Sequence, residues 1–306
     1  LTDARGFVTT NEYDSKERLL TGVTDAKGNK VTYTYDTKND LLTGVTAFDG
    51  AKTIKLDYTY DDGDRLKTIT HNGFQYTYEY DFLGNPTAFF AGGNTLEKYT
   101  YLPANGPVDE IYYGNGDVLK NSYDKQEQIV EQKWNGKSAF KNTYDFYGNL
   151  FREEDILNNV VYEYCYDLLQ RLVEMKTTRG QKLQIFYDSK NRVSGMKESV
   201  NGNLIQTDYV YGEIKNNQMP EQLYGVKVDN KEKIAYEYDA LSRLKKRTLK
   251  LAKDYATEYE YESGNKAGMT TLLPKSISQN GQVTRVEYDA NGNILAIYKN
   301  GEKEVT

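Results

Sequence analysis

The sequence predicts an all-β protein built from tandem antiparallel β-hairpins. A Tyr-Asp (YD) pair recurs along the chain, and aromatic or aliphatic residues alternate with polar ones before each pair. The 306 residues include 29 tyrosines, and tyrosine favours half-buried strands because its ring packs while its hydroxyl seeks a polar partner. A mean hydropathy of −0.78 would suit a disordered chain. The regular spacing of aromatic and aliphatic residues argues against disorder, because a disordered chain needs no such periodicity.

The repeat begins at a Tyr-Asp pair and recurs every 20 to 27 residues. Ten copies contain the pair itself: Tyr13-Asp14, Tyr35-Asp36, Tyr60-Asp61, Tyr80-Asp81, Tyr123-Asp124, Tyr144-Asp145, Tyr166-Asp167, Tyr187-Asp188, Tyr238-Asp239 and Tyr288-Asp289. Three degenerate copies stand where the spacing requires one: Tyr101-Leu102, Tyr211-Gly212 and Tyr261-Glu262. We therefore predict a single array of about 13 repeats over residues 1–306. Because the pattern is already under way at the first residue, we expect a fragment of a longer protein, without a toxin or wall-binding domain.

A turn signal follows each pair. Three positions after the Asp stands Gly, Asn or a small polar residue, such as Gly84 or Asn39, then often Arg or Asn, and then an aliphatic residue. The Asp carboxylate can accept hydrogen bonds from the following backbone N–H groups. Gly or Asn at the third position tolerates a positive φ. We expect a tight turn at each pair.

A second turn signal alternates with the first. It is an Asn-Gly pair at Asn72-Gly73, Asn115-Gly116, Asn135-Gly136, Asn201-Gly202, Asn280-Gly281 and Asn300-Gly301, with Asp49-Gly50 and Gly28-Asn29 in the same role. Asn-Gly between alternating segments is the strongest short-range hairpin signal. Each repeat is therefore predicted to contain two strands and two turns.

The segments before the pairs have the period of a strand. Phe74, Tyr76, Tyr78 and Tyr80 share one face, and polar residues share the other. A single hairpin buries too little surface to offset its ordering entropy, so neighbouring hairpins must join edge to edge. Strand twist then curls so long a meander. We predict one long coiled sheet, either a spiral shell or an open scroll.

Candidate catalytic and metal-binding residues are sparse. His71, the single histidine, precedes a turn and has no nucleophile motif beside it. Cys165, the single cysteine, alternates with tyrosines on a strand and lacks zinc-ligand partners. The run from Asp61 to Asp64 resembles half a calcium loop but coincides with a Tyr-Asp turn. We predict no catalytic residue, metal site or cofactor, and no enzyme.

Binding signals are weak and leave two interpretations of the tyrosine face. The rings either pack against one another or stack on sugars, and Trp134 is the best single candidate for sugar stacking. A net charge of −6 with mixed signs argues against nucleic acid. The densest basic stretch fits a solvated strand face: Lys245, Lys246, Arg247, Lys250 and Lys253. No apolar run reaches the roughly 18 residues of a membrane-spanning helix.

The repeat resembles the YD repeats of the RHS (rearrangement hot spot) family, over nearly the whole chain. The resemblance is carried by Tyr238-Asp-Ala-Leu-Ser-Arg-Leu244, by Tyr288-Asp-Ala-Asn-Gly-Asn-Ile294, and by Thr24-Asp-Ala-Lys-Gly-Asn29 before Tyr35-Asp36. That family includes bacterial RHS and wall-associated polymorphic toxins, shell components of Tc toxins, and animal teneurins. The resemblance implies a β-strip that spirals into a hollow shell.

The resemblance also implies a function. We expect a structural shell segment of a secreted bacterial protein, which encloses or presents a C-terminal toxin domain of the same polypeptide. The alternative is a cell-surface adhesion or carbohydrate-binding module without cargo, with glycans as partners. Either implies a secreted or cell-surface location, such as the bacterial cell wall.

Overall fold

The computed structural model describes residues 1–48, 50–200, 202–216 and 218–305. In these residues the chain forms 27 β-strands and one short 3-10 helix, Ile214–Asn216. The all-β, tandem-hairpin prediction is confirmed. The chain divides into two compact units: the first contains Leu1 and residues 8–160, and the second contains Thr2–Phe7 and residues 161–306. No helix in the described part of the chain is long and apolar enough to span a membrane.

The first unit is a run of antiparallel strands in which each strand pairs with the next along the chain, from β1 to β14. The strands are β1 Thr10–Tyr13, β2 Leu20–Thr24, β3 Lys30–Tyr35, β4 Leu42–Phe48, β5 Thr53–Tyr60, β6 Leu66–His71, β7 Phe74–Tyr80, β8 Pro86–Ala91, β9 Asn94–Tyr101, β10 Val108–Tyr113, β11 Val118–Tyr123, β12 Ile129–Trp134, β13 Lys137–Tyr144 and β14 Leu150–Asp155.

The second unit repeats this arrangement from β15 to β27, again with antiparallel pairing in chain order. Its strands are β15 Val160–Tyr166, β16 Leu172–Thr177, β17 Lys182–Tyr187, β18 Val193–Val200, β19 Asn203–Tyr211, β20 Leu223–Val228, β21 Lys231–Tyr238, β22 Leu244–Leu249, β23 Tyr255–Ser263, β24 Thr270–Gln279, β25 Gln282–Tyr288, β26 Ile294–Lys299 and β27 Glu302–Val305.

The predicted turn positions have the expected backbone. Gly84, Gly148 and Gly292 have φ of +93°, +85° and +83°, and Asn135-Gly136 has φ of +49° and +76°. The prediction was wrong at Asn39, because that turn is one residue longer: Asp36 N donates to Leu41 O, and Asp40 takes the positive φ of +58°. The predicted turns at Asp49 and Asn201 involve residues outside the described part of the chain.

Every repeat contains a β-bulge that the sequence pattern did not reveal. In the first unit, Tyr101 pairs with Val108 while the preceding Thr100 pairs with Glu110, so Asp109 has no cross-strand partner. The same one-residue shift occurs at the tyrosine of all 13 repeats, regular and degenerate. A bulge disrupts the ladder locally and increases strand twist, so we expect a local increase in twist at each of these positions.

Neither unit contains a conventional hydrophobic core. Among the described residues, no large side chain is completely removed from solvent. Only small or mid-sized apolar residues are buried: Ala88, Ala139, Val160, Val286 and Ala296. The tyrosine rings at mid-strand, such as Tyr78, are half-buried against neighbours on the same face and stack on rings such as Phe89, whose centroid lies 4.9 Å away. Stability must therefore come largely from contacts between adjacent strands and repeats.

Candidate functional site

The Asp of each pair organises its turn. In the first unit, Asp145 Oδ1 accepts the backbone N–H groups of Tyr147 and Asn149, both at 2.9 Å, and Asp145 N donates to Asn149 O at 2.9 Å. The Asn149 side-chain amide, helped by these backbone N–H groups, holds the pKa of Asp145 below its usual value. In the second unit, Arg171 lowers the pKa of Asp167 in the same way. The carboxylate is thus ionised and fully engaged by its own turn.

In most repeats the Tyr of the pair bonds its repeat to the preceding one. Tyr123, at the end of β11, donates its hydroxyl to Val108 O at 2.6 Å. Val108 is the aliphatic residue directly before the bulge of the preceding repeat. The bulge thus presents this carbonyl to the next tyrosine.

Eleven such bonds of 2.6 to 3.0 Å are present in the described residues. They run from Tyr35 to Leu20, Tyr60 to Leu42, Tyr80 to Leu66, Tyr101 to Pro86, Tyr123 to Val108, Tyr144 to Ile129, Tyr187 to Leu172, Tyr211 to Val193, Tyr238 to Leu223, Tyr261 to Leu244 and Tyr288 to Pro274. The degenerate copies at Tyr101, Tyr211 and Tyr261 therefore lose the Asp but keep the tie. Burial raises the phenol pKa of several of these tyrosines, including Tyr80, Tyr123 and Tyr238.

In eight of the ten regular repeats the residue four positions after the Asp is Arg or Asn, and the two types act differently. Arg65 donates from Nε to the Asp61 carboxylate at 2.7 Å, reaches Asp81 O of the next turn at 3.0 Å, and lies over the ring of Tyr80 at 4.8 Å. The same stacking on the next repeat's tyrosine occurs for Arg171 on Tyr187, Arg192 on Tyr211 and Arg243 on Tyr261, at 4.2, 4.0 and 4.2 Å. Asn85 reaches its own Asp81 at 3.0 Å. Arginine at this position therefore adds a second contact between successive repeats, through stacking on the next tyrosine.

The turns of the second type, most of them Asn-Gly, supply further hydrogen bonds between strands, at the opposite strand ends. In the first unit, Asn135 Oδ1 accepts the N–H of Val118 at 2.8 Å, and Asn135 N donates to Val118 O at 2.8 Å. These two bonds close the open end of the hairpin formed by β11 and β12. In the described part of the chain, four other turns repeat the arrangement with Asn, Thr or Asp as the acceptor: Asn72 with Lys55, Thr178 with Val161, Asp229 with Gln206, and Asn280 with Ala256. The sequence predicted the turn backbone at these Asn residues but not the hydrogen bond that the side chain accepts.

The other candidate residues are exposed or already engaged within their own turns. His71 is exposed at the end of β6, and Cys165 is exposed on β15. The carboxylate of Asp61 is occupied by Gly63 N, Arg65 N and the Arg65 side chain, which fits the turn interpretation rather than a calcium loop. No group of three or more His, Cys, Asp or Glu side chains among the described residues could hold a metal ion.

Trp134 lies at the end of β12 and retains 38% exposure. Its ring packs on that of Tyr113, with centroids 5.5 Å apart and planes tilted by 31°. One face of the indole is therefore used for packing within the sheet. This contact provides no argument for the carbohydrate-binding alternative.

Comparison with known proteins relates the repeat to a family. Residues 13–52 match the RHS repeat family profile. No curated protein matches the sequence. The matched segment begins at Tyr13, the first residue of the first Tyr-Asp pair, and covers the Tyr35-Asp36 pair as well.

The fold matches solved structures over almost the whole chain. The crystal structure of TcdB2-TccC3 aligns with a TM-score of 0.71 and 14% identity, covering 98% of this chain and 18% of that chain. TcdB2-TccC3 without its hypervariable C-terminal region aligns with a TM-score of 0.68 and 14% identity, covering 97% and 20%. The Tc holotoxin pore of Photorhabdus luminescens aligns with a TM-score of only 0.38 at 13% identity, covering 95% and 21%. The chain thus spans about a fifth of the proteins whose fold it shares.

Proposed function

Because the chain belongs to the RHS/YD-repeat family, we propose that it is a structural segment of a secreted bacterial shell that encloses or presents a C-terminal toxin domain of the same polypeptide. The observation that carries this proposal is the set of ties between successive repeats. Within each unit these bonds join neighbouring strands through backbone carbonyls, so successive repeats form a continuous sheet. In this role the chain is one array of about 13 repeats within a longer extracellular protein, and it catalyses no reaction.

The chemistry of the repeat fits a wall better than a binding pocket. Tyr hydroxyls such as that of Tyr123, Asp carboxylates such as that of Asp145 and turn Asn side chains such as that of Asn135 are engaged by other repeats or by their own turns. These are the groups that a catalytic or ligand site would need to keep available. Their repeated use for internal bonds makes the Tyr-Asp residues structural, from Tyr13 and Asp14 to Tyr288 and Asp289.

The proposal is tested in the complete native polypeptide that contains this segment. Protease is added, and degradation of the C-terminal region is followed by immunoblot. We expect that region to resist protease while the array is intact. It should become sensitive when the array is weakened by Asp145→Ala together with Asp188→Ala. Asp62→Ala, at an exposed turn position, is the control and should change nothing.

Two outcomes would contradict the proposal. A C-terminal region that is degraded at the same rate in the wild type and the double variant, with the wild-type array intact by circular dichroism, would exclude enclosure. A polypeptide that carries no separate C-terminal domain would exclude both enclosure and presentation.

A further inference from the structure

The segment Thr2–Phe7 of the second unit forms a turn of the same type as the Tyr-Asp turns. Asp3 N donates to Phe7 O at 2.9 Å, and Gly6 N donates to Asp3 O at 3.0 Å. Asp3 Oδ1 accepts the N–H groups of Arg5 and Phe7, both at 2.9 Å. This pattern matches that of Asp145 except that no tyrosine precedes the Asp. The segment Thr2-Asp-Ala-Arg-Gly6 also parallels Thr24-Asp-Ala-Lys-Gly28 in sequence.

Arg5 is the best-enclosed arginine of the ion pairs described. Its side chain is 11% exposed, against 16% for Arg243 and 51% for Arg18. Its Nη1 donates to Asp289 O at 2.8 Å, and its Nη2 donates to Ala290 O at 3.0 Å. Its Nε donates to the Asp3 carboxylate at 3.1 Å. The planar guanidinium thus uses its fork geometry on two successive carbonyls of the last Tyr-Asp turn.

The repeat before the Asp289 turn has no arginine at the position from which Arg65 reaches the Asp81 turn. In the first unit, the corresponding carbonyl, Asp81 O, accepts Arg65 of the preceding repeat. The repeat before Asp289 is the degenerate copy at Tyr261-Glu262, in which Lys266 stands four positions after the Glu. Arg5 therefore supplies, from 284 residues away, the guanidinium that the local sequence does not.

The backbone of the segment also fits closely. Ala4 O accepts the N–H of Asn265 at 2.7 Å. A Cβ at Gly6 would stand 2.1 Å from Asn265 Nδ2, and a Cβ at Gly264 would stand 2.6 Å from Ala4 O. A side chain at Gly264 would meet backbone and prevent the approach, whereas the Asn265 amide facing Gly6 is the end of a flexible side chain that could move aside. The contact is thus defined by shape as well as by hydrogen bonds.

We propose that the second unit contains a docking site for an arginine-bearing Asp turn, formed by Gly264-Asn265 and the carbonyls of Asp289 and Ala290. Its occupant is the chain's own segment Thr2–Phe7, with Arg5 as the recognition residue. The docked segment fastens the last regular Tyr-Asp turn to the degenerate turn beside it. This inference is independent of the proposed function, since it concerns only how the second unit is held together.

The first test is hydrogen exchange in the full chain. In Arg5→Ala, the Asn265 amide should exchange at least about tenfold faster, equivalent to about 1.4 kcal/mol of lost local stability. Arg5→Lys should give an intermediate rate, because an ammonium lacks the fork geometry. Arg18→Ala, which removes a half-exposed arginine paired with Asp40, is the control. Equal exchange at Asn265 in the wild type and Arg5→Ala would overturn the proposal.

The second test needs no substitution. Trypsin can cut at Arg5-Gly6 and at Arg179-Gly180, which are both Arg-Gly turns with a positive φ at Gly, +93° and +80°. Arg179 is exposed, whereas Arg5 is enclosed. We expect cleavage after Arg179 to be at least about tenfold faster. Equal rates would show that Thr2–Phe7 is not held in the site.

Discussion

The hydroxyl of Tyr238 donates to the backbone carbonyl of Leu223 at 2.8 Å and joins two successive repeats. Leu223 directly precedes Tyr224, the bulged residue of the repeat that begins at Tyr211. The bond therefore depends on an irregularity of one repeat and on the Tyr-Asp motif of the next. Because the described residues contain no large, completely buried side chain, such bonds carry a larger share of the stability than in a globular domain.

Removal of this hydroxyl should weaken the second unit. Tyr238→Phe keeps the ring but leaves a partly buried carbonyl without its partner, so we expect a loss of about 1 kcal/mol. Urea denaturation followed by circular dichroism measures the shift of the midpoint. Tyr147→Phe, at a turn position that is 71% exposed, is the matched control and should leave the midpoint unchanged. An equal effect of the two substitutions would contradict a role for the hydroxyl in the tie.

The Asp of the pair should matter through its turn. Asp81→Ala removes the acceptor of Asn85 N at 2.9 Å and of the Asn85 side chain at 3.0 Å. We expect a lower urea midpoint, because the turn N–H groups lose their acceptor, as when an Asp that caps backbone N–H groups is removed. Asp81→Asn, which keeps one acceptor oxygen, should cost less. Asp62→Ala should be neutral in the same urea titration, and an equal loss there would mean that the turn Asp has no special role.

The sequence predicted the elements that depend on local residue types, and missed those that do not. Tyr-Asp and Asn-Gly signals predicted the hairpins because Asp, Asn and Gly have distinct turn chemistry. The bulged position is occupied by residues as different as Asp109, Val130 and Lys245, so no residue type marks it. The contact between Arg5 and Asp289 spans 284 residues and lies outside any local pattern. The Asn135 side-chain bond depends on strand register rather than on composition.

The turn position with a positive φ should tolerate Asn better than a β-branched residue. Gly84 has a φ of +93°, and a Cβ there would meet only Arg65 Nη1 at 3.6 Å, so space is not limiting. Gly84→Val should cost roughly 1–2 kcal/mol or more, because a β-branched residue resists a positive φ. Gly84→Asn should cost only a few tenths of a kcal/mol, since Asn191 occupies the same turn position at a φ of +68°. Thermal melts of the two variants compare them directly, and equal melting temperatures would refute the backbone explanation.

Stability should decline in acid because of the turn carboxylates. The pKa of Asp81, Asp145, Asp167 and Asp188 is lowered by hydrogen bonds from Asn or Arg side chains and from backbone N–H groups. A lowered folded-state pKa gives stability that is present above the ordinary Asp value of about 3.9 and is lost as pH falls through the folded value. The urea midpoint should thus change little from neutral pH to about 4 on account of these groups, and then fall. The fall should be smaller in Asp145→Ala, and an unchanged slope in that variant would contradict the assignment.

An alkaline transition should arise from Tyr99. Burial, together with the hydrogen bond to Glu97, raises the pKa of Tyr99 to about 12. A raised folded-state pKa gives stability that is fully present below the ordinary tyrosine value of about 10 and is lost as pH rises through the folded value. Tyr99→Phe should therefore remove a late step from the phenolate absorbance titration, in the region of pH 12. A late step that persists in Tyr99→Phe would show that Tyr99 is not the group that titrates there.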